Sequence, residues 1–327
     1  MITDGLAGLE GSAPDICIIG AGPVGISLAL ELARLGRPAL VLESGATRPD
    51  QATQQLAEAS IAVPRHHVPM ALAVHRGLGG ASNLWGGRCV PMEPIDFEPR
   101  PAVLDSSWPI GMADVASYLR DACNYLGCGE AVFEAPLPGV PTDNPDFRFD
   151  RLERWSRRPR LASSHATQLR QSRHIDLRLR TTVTGFTFRA DGTADRVRVR
   201  QPGGAEAEVA PRRVVLAAGG LENTRLLLAA QLDAPHRFGG PDGPLGRYYM
   251  GHLYGSAAEM TIRSEALDAG MDYFRDAAGY YVRRRFTPSP DLQRRAGLSN
   301  VALWPDDPPI HDPRHRNGIL SLACLAL

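Results

Sequence analysis

Gly20-Ala21-Gly22-Pro23-Val24-Gly25 is a complete G-x-G-x-x-G run, and Glu43 follows Gly20 by 23 residues. Glycines at these intervals can hold a pyrophosphate against main chain. Gly20 permits a tight turn, Gly22 lets the phosphate approach the backbone, and Gly25 lets a following helix pack close to its strand. The N-terminus of the helix that follows adds free N–H groups and a partial positive charge where the phosphate would sit. A carboxylate at Glu43 can accept hydrogen bonds from both hydroxyls of a ribose and would repel a 2′-phosphate. This is the chemistry of dinucleotide binding, and the run by itself does not separate FAD from NAD.

The flanking residues supply the elements that such a site needs. Ile16-Cys17-Ile18-Ile19 is all apolar, the pattern of a strand buried on both faces of a parallel sheet. Val24, Leu28, Leu32 and Leu35 recur at helical spacing, and Gly36 stands where a helix ends. Pro38 to Leu42 reads as a second apolar strand that delivers Glu43 at its end. The sequence therefore predicts a strand–turn–helix–strand unit.

A second glycine-rich stretch, residues 75–99, reads HRGLGGASNLWGGRCVPMEPIDFEP. Gly79-Gly80 and Gly86-Gly87 would let backbone pass close to a flat ligand, Ser82 and Asn83 offer donors and acceptors, and Trp85 offers a flat face. LGG-x-SN-x-WGG followed by DFEPR and SWPI resembles the glucose–methanol–choline (GMC) oxidoreductase family, in its branch of bacterial sugar and polyol dehydrogenases related to pyranose oxidase. Two later segments are similar to family segments as well. Val214 to Leu228, which includes Ala217 and Gly219, resembles the strand-to-helix return beneath the FAD. Leu245 to His252 resembles a GR-x-x-M-D-H segment, with Gly251 in place of the Asp. Asn223-Thr224 stands where the family has Ser/Thr-Pro.

The resemblance implies FAD as cofactor, held by Gly20, Gly22, Pro23, Gly25, Glu43, Gly79, Gly80, Ser82, Asn83, Leu84, Trp85, Ala217 and Gly219, with the main chain of Val183 touching the adenine. Some relatives attach FAD through a histidine that corresponds to Leu84. Leucine has no nucleophile, so non-covalent FAD is expected. The implied reaction is oxidation of a CH–OH group of an alcohol, polyol or sugar by hydride transfer to flavin N5. The electron acceptor, whether quinone, haem protein or oxygen, stays open, with a lean toward a dehydrogenase.

Composition narrows the class. The 327 residues are 43% hydrophobic and 22% charged, enough apolar material for a sizeable core. The 36 basic residues, all arginine, cancel 36 acidic ones, so no bulk field favours nucleic acid. No apolar run reaches the roughly 18 residues of a membrane span. The first 15 residues lack a basic region and an apolar core, so a cytoplasmic location with reduced thiols is expected. Cys123 and Cys128 are too far apart for C-x-x-C, and Pro313 opposes a shared helix face for His311 and His315, so no metal is expected.

The resulting expectation is an α/β fold: a Rossmann-like FAD-binding domain of the GR2 type, with an incomplete α+β substrate domain on an antiparallel sheet. Residues 1–12 are read as a tail, 13–100 with 170–254 as the FAD domain, and 101–169 with 255–327 as the substrate side. A helix from Met112 to about Cys123, a helix over Ala162 to Arg173, and strands over 175–179, 182–188 and 197–199 follow from periodicity. Ala257–Ile262, Gly279–Arg285 and Leu298–Trp304 read as three further strands.

In the family a histidine near flavin N5 takes the hydroxyl proton, as its ordinary pKa suits it to do, and it lies after the whole substrate sheet. The chain is therefore expected to lack that C-terminal catalytic segment and to show no oxidation alone. His252, the histidine in a family-like segment, is the low-ranking base candidate, the ordinary reading being a buried, hydrogen-bonded side chain. Two other readings compete. A flavin-binding remnant without turnover shares every motif above. An aromatic-ring hydroxylase would need a late G-D-A-x-H segment, which the sequence does not contain, and would leave GGASNLWGG unexplained.

Overall fold

Four-residue apolar runs satisfy both faces of a parallel strand, and the computed structural model, which describes residues 1–100, 107–305 and 318–325, forms strands from them. In chain order the strands are β1 (Ile2–Asp4), β2 (Ile16–Ile19), β3 (Ala39–Leu42), β4 (Arg88–Cys89), β5 (Phe147–Trp155), β6 (Ile175–Leu179), β7 (Thr182–Phe188), β8 (Ala194–Arg200), β9 (Glu206–Val209), β10 (Arg213–Leu216), β11 (Phe274–Arg275) and β12 (Tyr281–Pro288). The chain divides into two units, Met1–Gly87 with Arg158–Gly255, and Arg88–Arg157 with Ser256–Leu327.

The first unit is built on a parallel sheet in the order β1-β6-β3-β2-β10. Every residue of β2 and β3 is buried. Helix α1 (Pro23–Arg34) lies after β2 and buries Gly25, Ile26, Ala29 and Leu32. This differs by one step from the spacing read in the sequence: Val24 is 66% exposed and Leu35 56%. Glycine at position 25 brings the helix onto the β2 turn, and that contact rolls the Ile26–Ala29–Leu32 stripe inward. Gly36 ends the helix with φ +70°, as expected of a residue without Cβ.

An antiparallel sheet, β7-β8-β9, covers one face of this parallel sheet. Its Val183, Phe186, Val197, Val199 and Val209 pack with Cys17, Ile19, Leu40 and Leu42. Each such side chain contributes about 1.5–3 kcal/mol by leaving water. Burial pushes the Cys17 thiol up to about 12, so it is inert filler. Residues 1–12 are not a tail: β1 pairs with β6 from Ile2↔Leu177 to Asp4↔Leu179, and Leu9 is in the core. A three-residue edge strand is held by backbone hydrogen bonds, which leave no periodic pattern to read.

The second unit carries the antiparallel sheet β11-β12-β5-β4. Its ladder is rich in arginine, and the buried charges are paired, as burial demands. Glu153, 1% exposed, takes Arg283 from β12 and Arg88 from β4, the latter at 3.4 Å. Arg283 in turn lies over the rings of Tyr273 and Trp304 at 4.8 and 5.0 Å.

The expected helix from Met112 breaks into Met112–Ala116 and Leu119–Leu126 around Ser117 and Tyr118, both modest helix formers. The helix expected over Ala162 to Arg173 is likewise two short turns, Leu161–Ser164 and Ala166–Gln171. Of the three strands expected after 255, only the middle one forms, as β12. Residues 257–262 form no strand and are exposed apart from Ile262, and Leu303 makes a single bridge to Phe286. His311 and His315 lie outside the described residues. No helix among the described residues is long and apolar enough to cross a membrane.

Candidate cofactor site

In the parallel sheet, successive strands β2, β3 and β6 step to one side and β10 falls on the other side of β2. The strand order reverses between β2 and β10, and ligands of open α/β sheets bind beyond the carboxyl ends of the strands at such a reversal. Gly20 leaves β2 there and Ala217 leaves β10.

Gly20 has φ +102°, and a Cβ on it would stand 2.7 Å from the Ala217 carbonyl oxygen. A Cβ on Gly25 would stand 1.9 Å from the Gly20 carbonyl oxygen. The two glycines are thus required by the chain's own packing. Gly22 is different: the nearest atom to a Cβ there is the Gly80 Cα at 3.9 Å, so the space beside it is open. Gly22 is also the N-cap of α1, with extended backbone and no side chain capping the helix, and Pro23 occupies the first turn. An uncapped helix end beside open backbone is a ready anion cradle.

The second glycine loop closes on the first. Gly79 donates its N–H to the Ala21 carbonyl at 2.9 Å. Gly80, at φ +50°, lies so near Gly22 that a Cβ on it would reach the Gly22 Cα at 2.8 Å. The polar side chains of this loop turn inward. The Ser82 hydroxyl, buried, donates to the Gly79 carbonyl at 2.6 Å and accepts from the Leu161 N–H at 3.3 Å. The Asn83 amide donates to the Leu78 carbonyl at 3.1 Å, and the Trp85 indole donates to the Pro159 carbonyl at 2.7 Å. The sequence reading offered Ser82 and Asn83 as ligand donors. In the structure the Ser82 hydroxyl and an Asn83 amide N–H hold the loop's own shape, and Leu84 is exposed.

Glu43 ends β3, 5% exposed. Its carboxylate accepts from the Ala21 N–H at 2.9 Å through Oε2 and from the Gly45 N–H at 2.8 Å through Oε1. It therefore ties β3 directly to the glycine loop. Each carboxylate oxygen can accept two hydrogen bonds, so acceptor capacity remains. The Glu43 carbonyl also takes the Thr181 N–H at 2.9 Å, which anchors the β6–β7 connection at the same place. Val183 lies two residues on, paired with Val199 and 6% exposed.

Three further residues escaped the sequence reading. Arg76 and Glu222 form a buried ion pair, Nη2 to Oε2 2.6 Å, and Arg76 Nη1 donates to the Ser44 hydroxyl at 3.1 Å. Arg76 precedes the Gly77–Gly80 run, Ser44 follows Glu43, and Glu222 sits in the first turn of the helix Gly220–Asp233. The pair binds the ends of β3 and β10 to the second glycine loop. Arg76 Nε is buried with no hydrogen-bond partner, an unspent donor at this place. The only advance signal was an arginine among glycines. Asn223, the departure from the family pattern, accepts from the Ala218 N–H at 3.0 Å and donates to the Leu216 carbonyl at 3.3 Å, fixing the turn around Gly219.

His252 is not part of this arrangement. It is exposed, in an irregular stretch, which also corrects the expectation of a buried, hydrogen-bonded side chain.

No family model and no curated protein matches this chain. Solved structures do. Pyridoxine 4-oxidase from Mesorbium loti is 18% identical, with 68% of this chain covering 54% of that one at a TM-score of 0.43. A formate oxidase is 17% identical, with 68% of this chain and 48% of that one at 0.40. A formate oxidase of Aspergillus oryzae, described for its FAD modification, gives the same identity and coverage at 0.44. The chain spans about half the length of these proteins.

Proposed function

We propose that the first unit binds FAD without a covalent bond and that the chain is the cofactor-binding portion of an oxidoreductase acting on CH–OH groups of an alcohol, polyol or sugar. One observation carries the cofactor part. Two glycine loops, Gly20–Gly25 and Gly79–Gly80, meet at the strand-order reversal, with an acidic residue ending the neighbouring strand. The open side of Gly22, which a Cβ would fill, and the uncapped start of α1 fit a pyrophosphate. Glu43 fits a ribose, and the unspent donor on Arg76 fits a polar or anionic group.

In this reading Gly22 and the α1 terminus take the phosphates, Glu43 orients the adenosine ribose, and Val183 lends main chain to the adenine. Gly79 and Gly80 let the second loop's main chain close on the first, Ala217 and Gly219 present little or no side chain to the ligand, Ser82, Asn83 and Trp85 hold the loop, and Leu84 offers no atom for attachment. Bound FAD supplies a hydride acceptor. The substrate class rests on the motif resemblance of residues 75–100 and 245–252, and no base is assigned among the described residues. The test is dye reduction by the FAD-loaded chain with a panel of sugars, polyols and simple alcohols. Flavin uptake without any dye reduction favours a binding role for this chain over turnover.

A further inference from the structure

Three cysteines that the cofactor reading does not use come together in the second unit. Cys89 lies in β4, opposite Arg154 of β5. Cys123 is in the helix Leu119–Leu126, and Cys128 follows its left-handed cap Gly127. The Cys128 N–H donates to the Cys123 carbonyl at 3.1 Å, and its Sγ approaches the same oxygen at 3.8 Å. Arg154, from the strand paired with β4, donates Nε–H to the Cys128 carbonyl at 2.8 Å. The thiols of Cys89 and Cys123 both hydrogen-bond to that of Cys128. They are 6%, 4% and 0% exposed, and none is in a disulfide. Among the described residues no group of three or more His, Cys, Asp or Glu side chains is arranged to hold a metal ion.

We propose that Cys89 and Cys128 are a thiol–disulfide switch, oxidised by a hydroperoxide, that staples edge strand β4 to the end of the helix Leu119–Leu126. The three thiols are not equivalent. The hydrogen bond received from Cys128 holds Cys89 below the usual thiol range despite burial. The hydrogen bond given to Cys128, and burial, push Cys123 up. Cys128 accepts from Cys123 but gives to Cys89 and is buried, and ends at about 11. Cys89 is also the least buried of the three and the one on an edge strand, so it is the sulfur that a hydroperoxide reaches first. It sits in a two-residue edge strand just after Gly86 and Gly87, where local opening needs few bonds to break.

In the first step the Cys89 thiolate attacks the hydroperoxide. An S–O bond forms, the O–O bond breaks, sulfur loses two electrons, and the peroxide leaves as an alcohol or water after taking one proton. In the second the Cys128 sulfur attacks that of Cys89. The S–S bond forms, the S–O bond breaks, and the Cys128 proton leaves with the hydroxide as water. Cys123 lies on the other side of Cys128 from Cys89 in the hydrogen-bond chain and is left reduced.

The test uses the full chain with hydrogen peroxide as probe, followed by alkylation in denaturant and peptide mass mapping. The expected result is loss of two of the five alkylatable thiols, a Cys89–Cys128 cross-linked peptide, and recovery of both thiols with dithiothreitol. The Cys128→Ser variant should instead accumulate a sulfenic acid at Cys89 that a dimedone reagent traps. The wild-type map stands whether or not that variant folds. Five alkylated thiols after treatment, a Cys123–Cys128 link, or oxidation confined to Cys324 would each overturn the proposal.

Discussion

Gly80 and Gly22 lie backbone to backbone: a Cβ built on Gly80 would stand 2.8 Å from the Gly22 Cα. The relation is not reciprocal. A Cβ on Gly22 has nothing nearer than 3.9 Å, because it points past Gly80 into the space assigned to the pyrophosphate. This asymmetry separates residues that the chain needs for packing from the one that a ligand needs for access.

Gly22→Ala should fold with a melting temperature close to that of the parent and yet bind FAD at least tenfold more weakly. Gly80→Ala should lose about 1–3 kcal/mol of stability from strain at positive φ and from displacement of the first loop. Gly25→Ala should be worse, because the Gly20 carbonyl occupies its Cβ position. Thermal melts beside FAD titrations separate the cases. Equal loss of stability in Gly22→Ala and Gly80→Ala would contradict the assignment of the open space.

Replacing Glu43 by Ala leaves two backbone N–H groups, of Ala21 and Gly45, without their acceptor in a buried place. Each costs about 1–3 kcal/mol. The loss should appear in urea unfolding without any cofactor present. A Glu43→Ala chain that keeps full stability would mean that Glu43 does not hold the loop.

Glu222 is also held by the half-exposed Arg225, Nε to Oε2 3.0 Å, so loss of Arg76 leaves the buried carboxylate its weaker partner and costs less than the roughly 3–5 kcal/mol of a buried charge left alone. Arg76→Met should therefore destabilise, and Arg76→Met combined with Glu222→Leu should recover part of the loss. A double-mutant cycle in urea measures this, and additive effects would show that the two side chains do not interact.

Asp276 lies below the usual carboxylate value of 3.8. Burial pulls it upward, but the N–H groups of Tyr280 and Ala278 and the Arg154 guanidinium outweigh that. A carboxyl whose folded pKa is depressed contributes stability that is complete above the unfolded value and is lost as pH falls through the folded one. The acid limb of stability below about pH 4 should be shallower in Asp276→Asn, read by melts across pH. An unchanged limb would contradict the ion pair.

The glycine run, its strands and Glu43 were legible because each rests on local chemistry: apolar runs, turn glycines and a fixed spacing to the acid. β1 was not, because three residues at a sheet edge are chosen by the backbone of Ile175–Leu179 and not by their own pattern. The residues 257–262 alternate well enough for a strand but form none in the structure. In the site, the hydrogen bonds that tie Ser82 and Asn83 into their own loop were not legible, because they depend on Leu161 and Leu78, and sequence spacing does not show those neighbours. Arg76 and Glu222 are 146 positions apart, and only the fold makes them a pair.

The most direct measurement is the flavin content of the purified full chain after loading with FAD and precipitation with acid. The account predicts close to one FAD per chain, all of it in the supernatant, and strong loss of uptake in Gly22→Ala. A folded chain that takes up no FAD would contradict the cofactor site, and flavin retained in the washed precipitate would contradict non-covalent binding.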